Sequence, residues 1–232
     1  MGSSKRAGLG VVKTCTVPNT AALTFDDGPS ENMEDILEML QDADATGTFF
    51  FNGKNFKCIY DQENADRVRL AYESGHQIAS HTWKHADLTA LDEDEIGMEM
   101  WRIEEALFKI TGAVPAFIRP PYGNFNDEVI EVAASRGQRL VTWDFDSQDS
   151  TGASAEESQA LYLERIEQRP ASILTLNHET KETTVNEVLP FAIENMRSAG
   201  YRLVSVAECL GVEPYQYVAA PAIRDESWTC QE

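Results

Sequence analysis

The sequence predicts an α/β fold, a single-domain distorted (β/α) barrel with about seven parallel strands. Two features carry that expectation. Apolar, β-prone runs alternate with helical segments seven times, which implies a parallel sheet with crossover helices. At 232 residues the chain suits one large domain, and at this length a closed or nearly closed barrel is favoured over an open doubly wound sheet. No G-x-G-x-x-G follows the first strand, which argues against a dinucleotide site.

In chain order the strands are "TAALTF", "TGTFFF", "HQIAS", "PAFIR", "QRLVTWDF", "ASILTL" and "YRLVSV". Between them lie the helical segments "ENMEDILEMLQDA", "NADRVRLAYESG", "LDEDEIGMEMWRIEEALFKITG", "NDEVIEVAASRG", "SAEESQALYLERIEQ" and "TVNEVLPFAIENMRSAG". Met33, Ile36, Leu37 and Leu40 recur at helical spacing, with Ser30 as the expected N-cap before an acidic first turn. Gly75, Gly112, Gly137 and Gly200 each stand where a helix should stop. Trp101, within an amphipathic helix, is expected in the core. The barrel is assigned to residues 15–212. Residues 1–14 read as an expression remnant or flexible N-terminal arm, and 213–232 as an irregular tail packed on the barrel.

Acidic residues number 39 against 19 basic, a formal charge of -20. That balance gives no basic face for nucleic acid or anionic lipid, so neither partner is expected. The excess reads as solubility, or more sharply as tolerance of a cationic polymer. No apolar run approaches the roughly 20 residues that span a bilayer, and the polar start "MGSSKRAGLG" lacks the apolar segment of a signal peptide. The four cysteines, Cys15, Cys58, Cys209 and Cys230, form no C-x-x-C pair. Two disulfides in a secreted or cell-wall protein are favoured over four buried thiols. The expected pairing is Cys15 with Cys209 and Cys58 with Cys230, which ties both chain ends to the body. Monomer is the default oligomeric state.

The chemistry is expected where strands end. Five polar clusters stand at or just after the C-terminal ends of strands: "DDGPS", "HTWKH", "RPPYGN", "DFDSQD" and "NHE". In the first, Asp26 and Asp27 are adjacent acids at the end of an apolar strand, so a positive partner is required. His81 and His85 lie four apart; if their loop makes one helical turn, both rings can face one ion. With Asp27 they form a His, His, Asp set that suits one divalent transition metal, zinc first and cobalt next, and leaves positions open for water and substrate. Asp26, ionised at an ordinary carboxylate pKa of about 3.9, is then free to accept the proton of an activated water. His178, one of only four histidines, is a third imidazole at a strand end.

"TFDDGP", "HTWKH", "RPPYG", "DSQD" and "LNH", in this order, resemble the five motifs of the polysaccharide deacetylases, carbohydrate esterase family 4. The details "ALTFDDGPS", "SHTWKHADLT" and "CLG" look closest to fungal chitin deacetylases. The resemblance implies Asp26 as base and Asp27, His81 and His85 as metal ligands. It implies Arg119 as the arginine that orients the base, and the backbone N–H of Tyr122 as a donor to the oxyanion. His178 is implied as general acid, Asp149 as its carboxylate partner with Asp146 as fallback, and Leu176 as lining for the acetyl pocket. One position departs from the pattern: many members carry tryptophan directly after the second aspartate, where this chain has Ser150, so Trp143 or another aromatic is the expected replacement wall.

Plainer readings stand beside these. Arg119 before two prolines suits a surface turn, Asp146 and Asp149 suit helix caps, and His76 suits a structural place at the opposite end of the barrel. Trp83 and Tyr122 suit either sugar stacking or packing. The function expected is a metal-dependent N-deacetylase acting on chitin, chitooligosaccharides or related N-acetylglucosamine polymers. The alternatives are a peptidoglycan deacetylase, an acetylxylan esterase and a catalytically silent carbohydrate-binding protein.

Overall fold

The structure, a computed structural model, describes residues 10–231; residues 1–9 of the N-terminal arm lie outside the described residues. Along the chain run β1 (Thr20–Ala22), β2 (Thr24–Asp26), α1 (Met33–Asp42), β3 (Thr48–Phe51), α2 (Gln62–Glu73), β4 (Gln77–Ser80), α3 (Glu93–Thr111), β5 (Ala113–Pro115), β6 (Phe117–Ile118) and α4 (Asp127–Ser135). There follow β7 (Arg139–Leu140), β8 (Phe145–Asp146), α5 (Ala155–Glu167), β9 (Ser172–His178), α6 (Leu189–Ser198), β10 (Arg202–Val204), α7 (Val206–Leu210) and β11 (Tyr215–Val218). Among the described residues, nine strands join in the order β10-β1-β9-β2-β3-β4-β6-β7, with β8 against β9. Every pairing in that sheet is parallel.

All seven predicted strands are present, and two of them are broken in a way that makes the barrel distorted. "TAALTF" divides at Leu23: β1 pairs with β10 and β9, whereas β2 pairs with β3 and β9. "QRLVTWDF" divides too, since β7 lies on β6 while β8 has crossed to β9. That crossing run links the β6–β7 side of the sheet to β9.

Side-chain alternation explains why "TFFF" is apolar throughout. Phe49 and Phe51 stack at 5.8 Å and pack with Phe25, Ile36, Leu37 and Leu40 beneath the outer helices. Phe50, pointing the other way, joins Ala22, Ala79, Phe117, Val141, Leu174 and Val204 inside the barrel. Strands covered on both faces need no polar alternation.

Several helix ends follow local chemistry. α3 and α5 begin with capping boxes, Asp92 with Glu95 and Ser154 with Glu157, and Gly112 ends α3 in the left-handed conformation. The N-cap of α1, however, is Asn32 and not Ser30, because Ser30 is drawn instead onto Glu179. Trp101 is also not core. The buried stripe of α3 runs through Ile96, Met100, Ile103, Leu107 and Ile110, and Trp101 falls a third of a turn outside it, 42 % exposed. The tail is not irregular throughout, since β11 pairs antiparallel with β5.

Both disulfides form with the expected partners, Cys15 with Cys209 and Cys58 with Cys230. The second clamps the tail onto the loop after β3, where Trp228 packs 5.6 Å from Tyr60. Replacing Cys58 and Cys230 together by Ser should cost about 3 kcal/mol and lower the melting temperature by roughly 6–12 °C, read by calorimetry.

Candidate active site

Parallel strands put their C-terminal ends on one face, and the five polar clusters meet there around a cleft of about 440 Å³. Asp26 is the last residue of β2, in register between Phe50 and His178. A continuing strand would send Asp27 to the opposite face. The chain leaves the strand instead, with Asp27 in the left-handed region at φ 74°, and both carboxylates line the same cleft.

The two acids then have different partners. Asp26 Oδ1 accepts from Arg119 Nη1 at 2.8 Å, both side chains being buried. Arg119 also donates to Thr24 Oγ1 at 2.6 Å and to the carbonyl of Thr142 at 3.0 Å, and its guanidinium lies 4.3 Å above the Phe50 ring. This buried, fully engaged arginine is no surface turn. Burial lifts the Asp26 carboxyl above its usual range, opposed by the Arg119 charge.

Asp27 faces the histidines. Its Oδ1 lies 3.7 Å from His81 Nε2 and 3.4 Å from His85 Nε2, and one donor atom from each of the three lies within 4.8 Å of the others. Donors held about 2.0–2.1 Å from a tetrahedral ion stand roughly 3.3 Å apart, so the set fits one divalent cation after small adjustment. His81 is prepared for ligation: Nδ1 bonds the Arg119 carbonyl at 2.8 Å, which leaves Nε2 bare toward Asp27. Burial pushes the His81 ring down to about 3, keeping it neutral. The loop carrying the pair is not one helical turn, because Thr82 and His85 are left-handed at φ 73° and 58°. The convergence comes from that reversal.

Across the cleft, His178 Nδ1 pairs with Asp149 Oδ1 at 2.7 Å. Asp149 Oδ2 accepts from the His178 backbone N–H at 2.7 Å and from Thr184 Oγ1 at 2.8 Å. Burial disfavours the charged ring, but the hydrogen bond and charge of Asp149 outweigh it and raise the His178 pKa. Asp146 lines the cleft and accepts from the Gln148 N–H at 2.8 Å; it has no bond to His178. Neither acid caps α5, whose N-cap is Ser154.

The cleft walls include Pro120, Tyr122, Trp143, Ser150, Thr151 and Leu176. Tyr122 is 65 % exposed, left-handed at φ 60°, with its ring 4.8 Å from that of His85. Trp143 packs under Gly123, where a Cβ would stand 2.8 Å from the indole. Trp83 is not available for sugar stacking: it is 1 % exposed, pressed against Gly53, with Arg102 4.4 Å over its ring. The histidine motif spends its aromatic on the core. His76 lies at the start of β4, away from the cleft, and its Nδ1 accepts from the Gly47 N–H at 3.1 Å.

Two residues at the site escaped the sequence reading. Asn52, buried, donates to the carbonyls of His81 and Thr82, while its N–H donates to the Gly28 carbonyl at 2.9 Å. Asn55 Nδ2 reaches Asp27 Oδ1 at 3.3 Å. Asn52 directly follows β3 and Asn55 stands three residues further on, so their place at a strand end was the available signal.

The fold and these donors define a barrel enzyme scaffold with a divalent-metal site at its strand ends. The chain belongs to the polysaccharide deacetylase family, whose model matches residues 13–141. A chitin deacetylase of Pestalotiopsis sp is 35% identical over 203 residues, 87% of this chain and 67% of that protein. The solved chitin deacetylase of the fungal pathogen Colletotrichum lindemuthianum superposes with a TM-score of 0.85 at 30% identity, covering 90% of this chain and 95% of that one. A peptidoglycan-N-acetylglucosamine deacetylase of Listeria monocytogenes is 30% identical over 191 residues, 82% of this chain but 38% of that protein. The chain thus spans 38% to 67% of the length of these two curated relatives.

Asn52→Ala should weaken metal binding by about 10- to 100-fold, as loss of a supporting contact around ligands typically does. Competition with a chromophoric chelator measures it.

Proposed function

We propose that this protein is a metal-dependent N-deacetylase that hydrolyses the acetamide of N-acetylglucosamine units in chitin or chitooligosaccharides, giving glucosamine units and acetate. One observation carries the reading: the Arg119-held Asp26, the Asp27–His81–His85 set and the Asp149-held His178 open on one cleft. The likeness to fungal chitin deacetylases supports the substrate. The His, His, Asp donors suit zinc, with cobalt able to take the same set. The two disulfides and the polymeric substrate suit an extracellular or cell-wall setting.

Asp27, His81 and His85 would hold a divalent ion, which would supply polarisation of the acetamide and lower the pKa of a water toward about 7. Asp26 has one oxygen on Arg119 and the other, 3.8 Å from His81 Nε2, turned toward the ligands; that oxygen takes the water proton. The Tyr122 N–H donates to the oxyanion that develops on the substrate, help commonly worth a few kcal/mol. His178, charged through Nδ1 by Asp149, delivers the Nε2 proton to the leaving nitrogen. Trp143 and Leu176 hold the acetyl methyl away from water, and Tyr122 faces the sugar at the rim.

Asp26→Asn should lower acetate release by about 10²- to 10⁴-fold while metal binding persists. Substantial activity in that variant removes Asp26 from its role. Asp149→Asn removes the negative charge that helps raise the His178 pKa and leaves one acceptor oxygen where there were two. Because the acid must be protonated, the alkaline limb of kcat then moves to lower pH, read from pH–rate profiles. Acetate release from chitin oligomers, abolished by chelator and restored by zinc, tests the substrate. Faster release from peptidoglycan or acetylxylan replaces it.

A further inference from the structure

Glu179 follows the acid histidine and takes no part in the scheme above. Its side chain is fully buried. Oε1 accepts the Ser30 N–H at 2.7 Å, and Oε2 has no hydrogen-bond partner among the described residues. Burial pushes the carboxyl up to about 8, against the Ser30 hydrogen bonds and with the Asp27 charge adding to the rise. A core position asking only for volume would be cheaper to fill with an apolar side chain.

The backbone of Glu179 is engaged with the same segment. Its N–H donates to the Asp26 carbonyl at 3.3 Å, and its carbonyl accepts from Ser30 Oγ at 3.2 Å and Asn32 Nδ2 at 2.9 Å. One residue therefore holds both ends of the turn that carries the base and a metal ligand. Gly28, in the middle of that turn, lies outside the left-handed region, so its backbone would accept a side chain. The obstacle is contact: a Cβ at Gly28 would stand 2.2 Å from the Glu179 carboxyl carbon and 2.3 Å from each oxygen. The neighbouring Asp27 is left-handed at φ 74°, a region that aspartate enters more readily than most side chains but at a cost its surroundings offset.

We propose that Glu179 is a positioning residue for the metal ligand Asp27. Its carboxyl group, lying where a side chain at Gly28 would be, clamps the turn from Asp26 to Ser30 and sets where the Asp27 carboxylate stands relative to His81 and His85. The inference rests on the metal-site reading above and assigns a task to a residue that reading leaves idle.

Zinc affinity measured at pH 7 by chelator competition, beside the melting temperature of the metal-free protein, tests it. E179A and G28A should each weaken zinc binding tenfold or more. E179Q, which keeps the shape of the side chain and an acceptor oxygen for the Ser30 N–H, should stay within threefold of the parent. G28A/E179A should bind no more weakly than E179A, because removing the carboxyl removes the clash. A purely structural role predicts lower melting temperatures with unchanged affinity, and that result overturns the proposal. So does a double variant as weak as the product of the two single losses, or E179Q as weak as E179A. Should E179A not fold, G28A and E179Q decide: parent-like binding by G28A overturns the proposal, and weak binding by G28A with retention in E179Q supports it. Failure of the parent protein to bind zinc would overturn the metal reading as well, whereas equal binding by parent and variants overturns this inference alone.

Discussion

Two neighbouring carboxylates at the end of a buried strand cannot both stay charged without separate positive partners. Two like charges some 4 Å apart repel by about 4 kcal/mol at an effective dielectric constant of 20, more than one surface contact returns. The structure gives Asp26 a buried arginine at 2.8 Å and turns Asp27, itself left-handed, toward two imidazoles that can share a cation with it. Much of the surrounding architecture serves that division. Arg119 is fixed by Thr24, Thr142 and Phe50, its own carbonyl sets the His81 ring, and Asn52 ties the histidine loop to the aspartate turn. Asp26 and Asp27 are adjacent in sequence and differ in electrostatic environment.

Asp26 and His178 are set apart by their surroundings in the same way. Asp26 is a carboxyl raised by burial, whereas His178 is an imidazole raised by a paired carboxylate, Asp149. Environments that push two titrating groups toward opposite tasks mark a pair suited to moving a proton across a cleft. Tyr122, Ser150 and Thr151 line the rim of the cleft, with the Tyr122 ring 4.8 Å from that of His85.

The strand runs, their parallel arrangement and the five polar clusters were legible because fully buried strands read as continuous apolar segments and chemistry collects at their C-terminal ends. The two strand breaks were not, since a change of pairing partner at Leu23 or between Leu140 and Phe145 leaves no mark on hydrophobicity. Nor was the left-handed backbone at Asp27, Thr82 and His85 visible; the histidine spacing pointed to the right pair through the wrong local geometry. Trp83 sits among polar motif residues yet packs inward, and Trp101 sits in an amphipathic helix yet faces out, because a tryptophan alone does not report which side of an element it occupies. Asn52 and Glu179 act through backbone groups of other segments, contacts that only the folded chain assembles.

The central claim is that Asp27, His81 and His85 share one cation. A crystal structure of the zinc-soaked protein, with anomalous scattering at the zinc edge, measures it most directly. The account predicts a single ion bonded to an Asp27 oxygen and to Nε2 of both histidines at about 2.0–2.2 Å. A zinc ion held elsewhere, or no peak between these three side chains under saturating zinc, would contradict it.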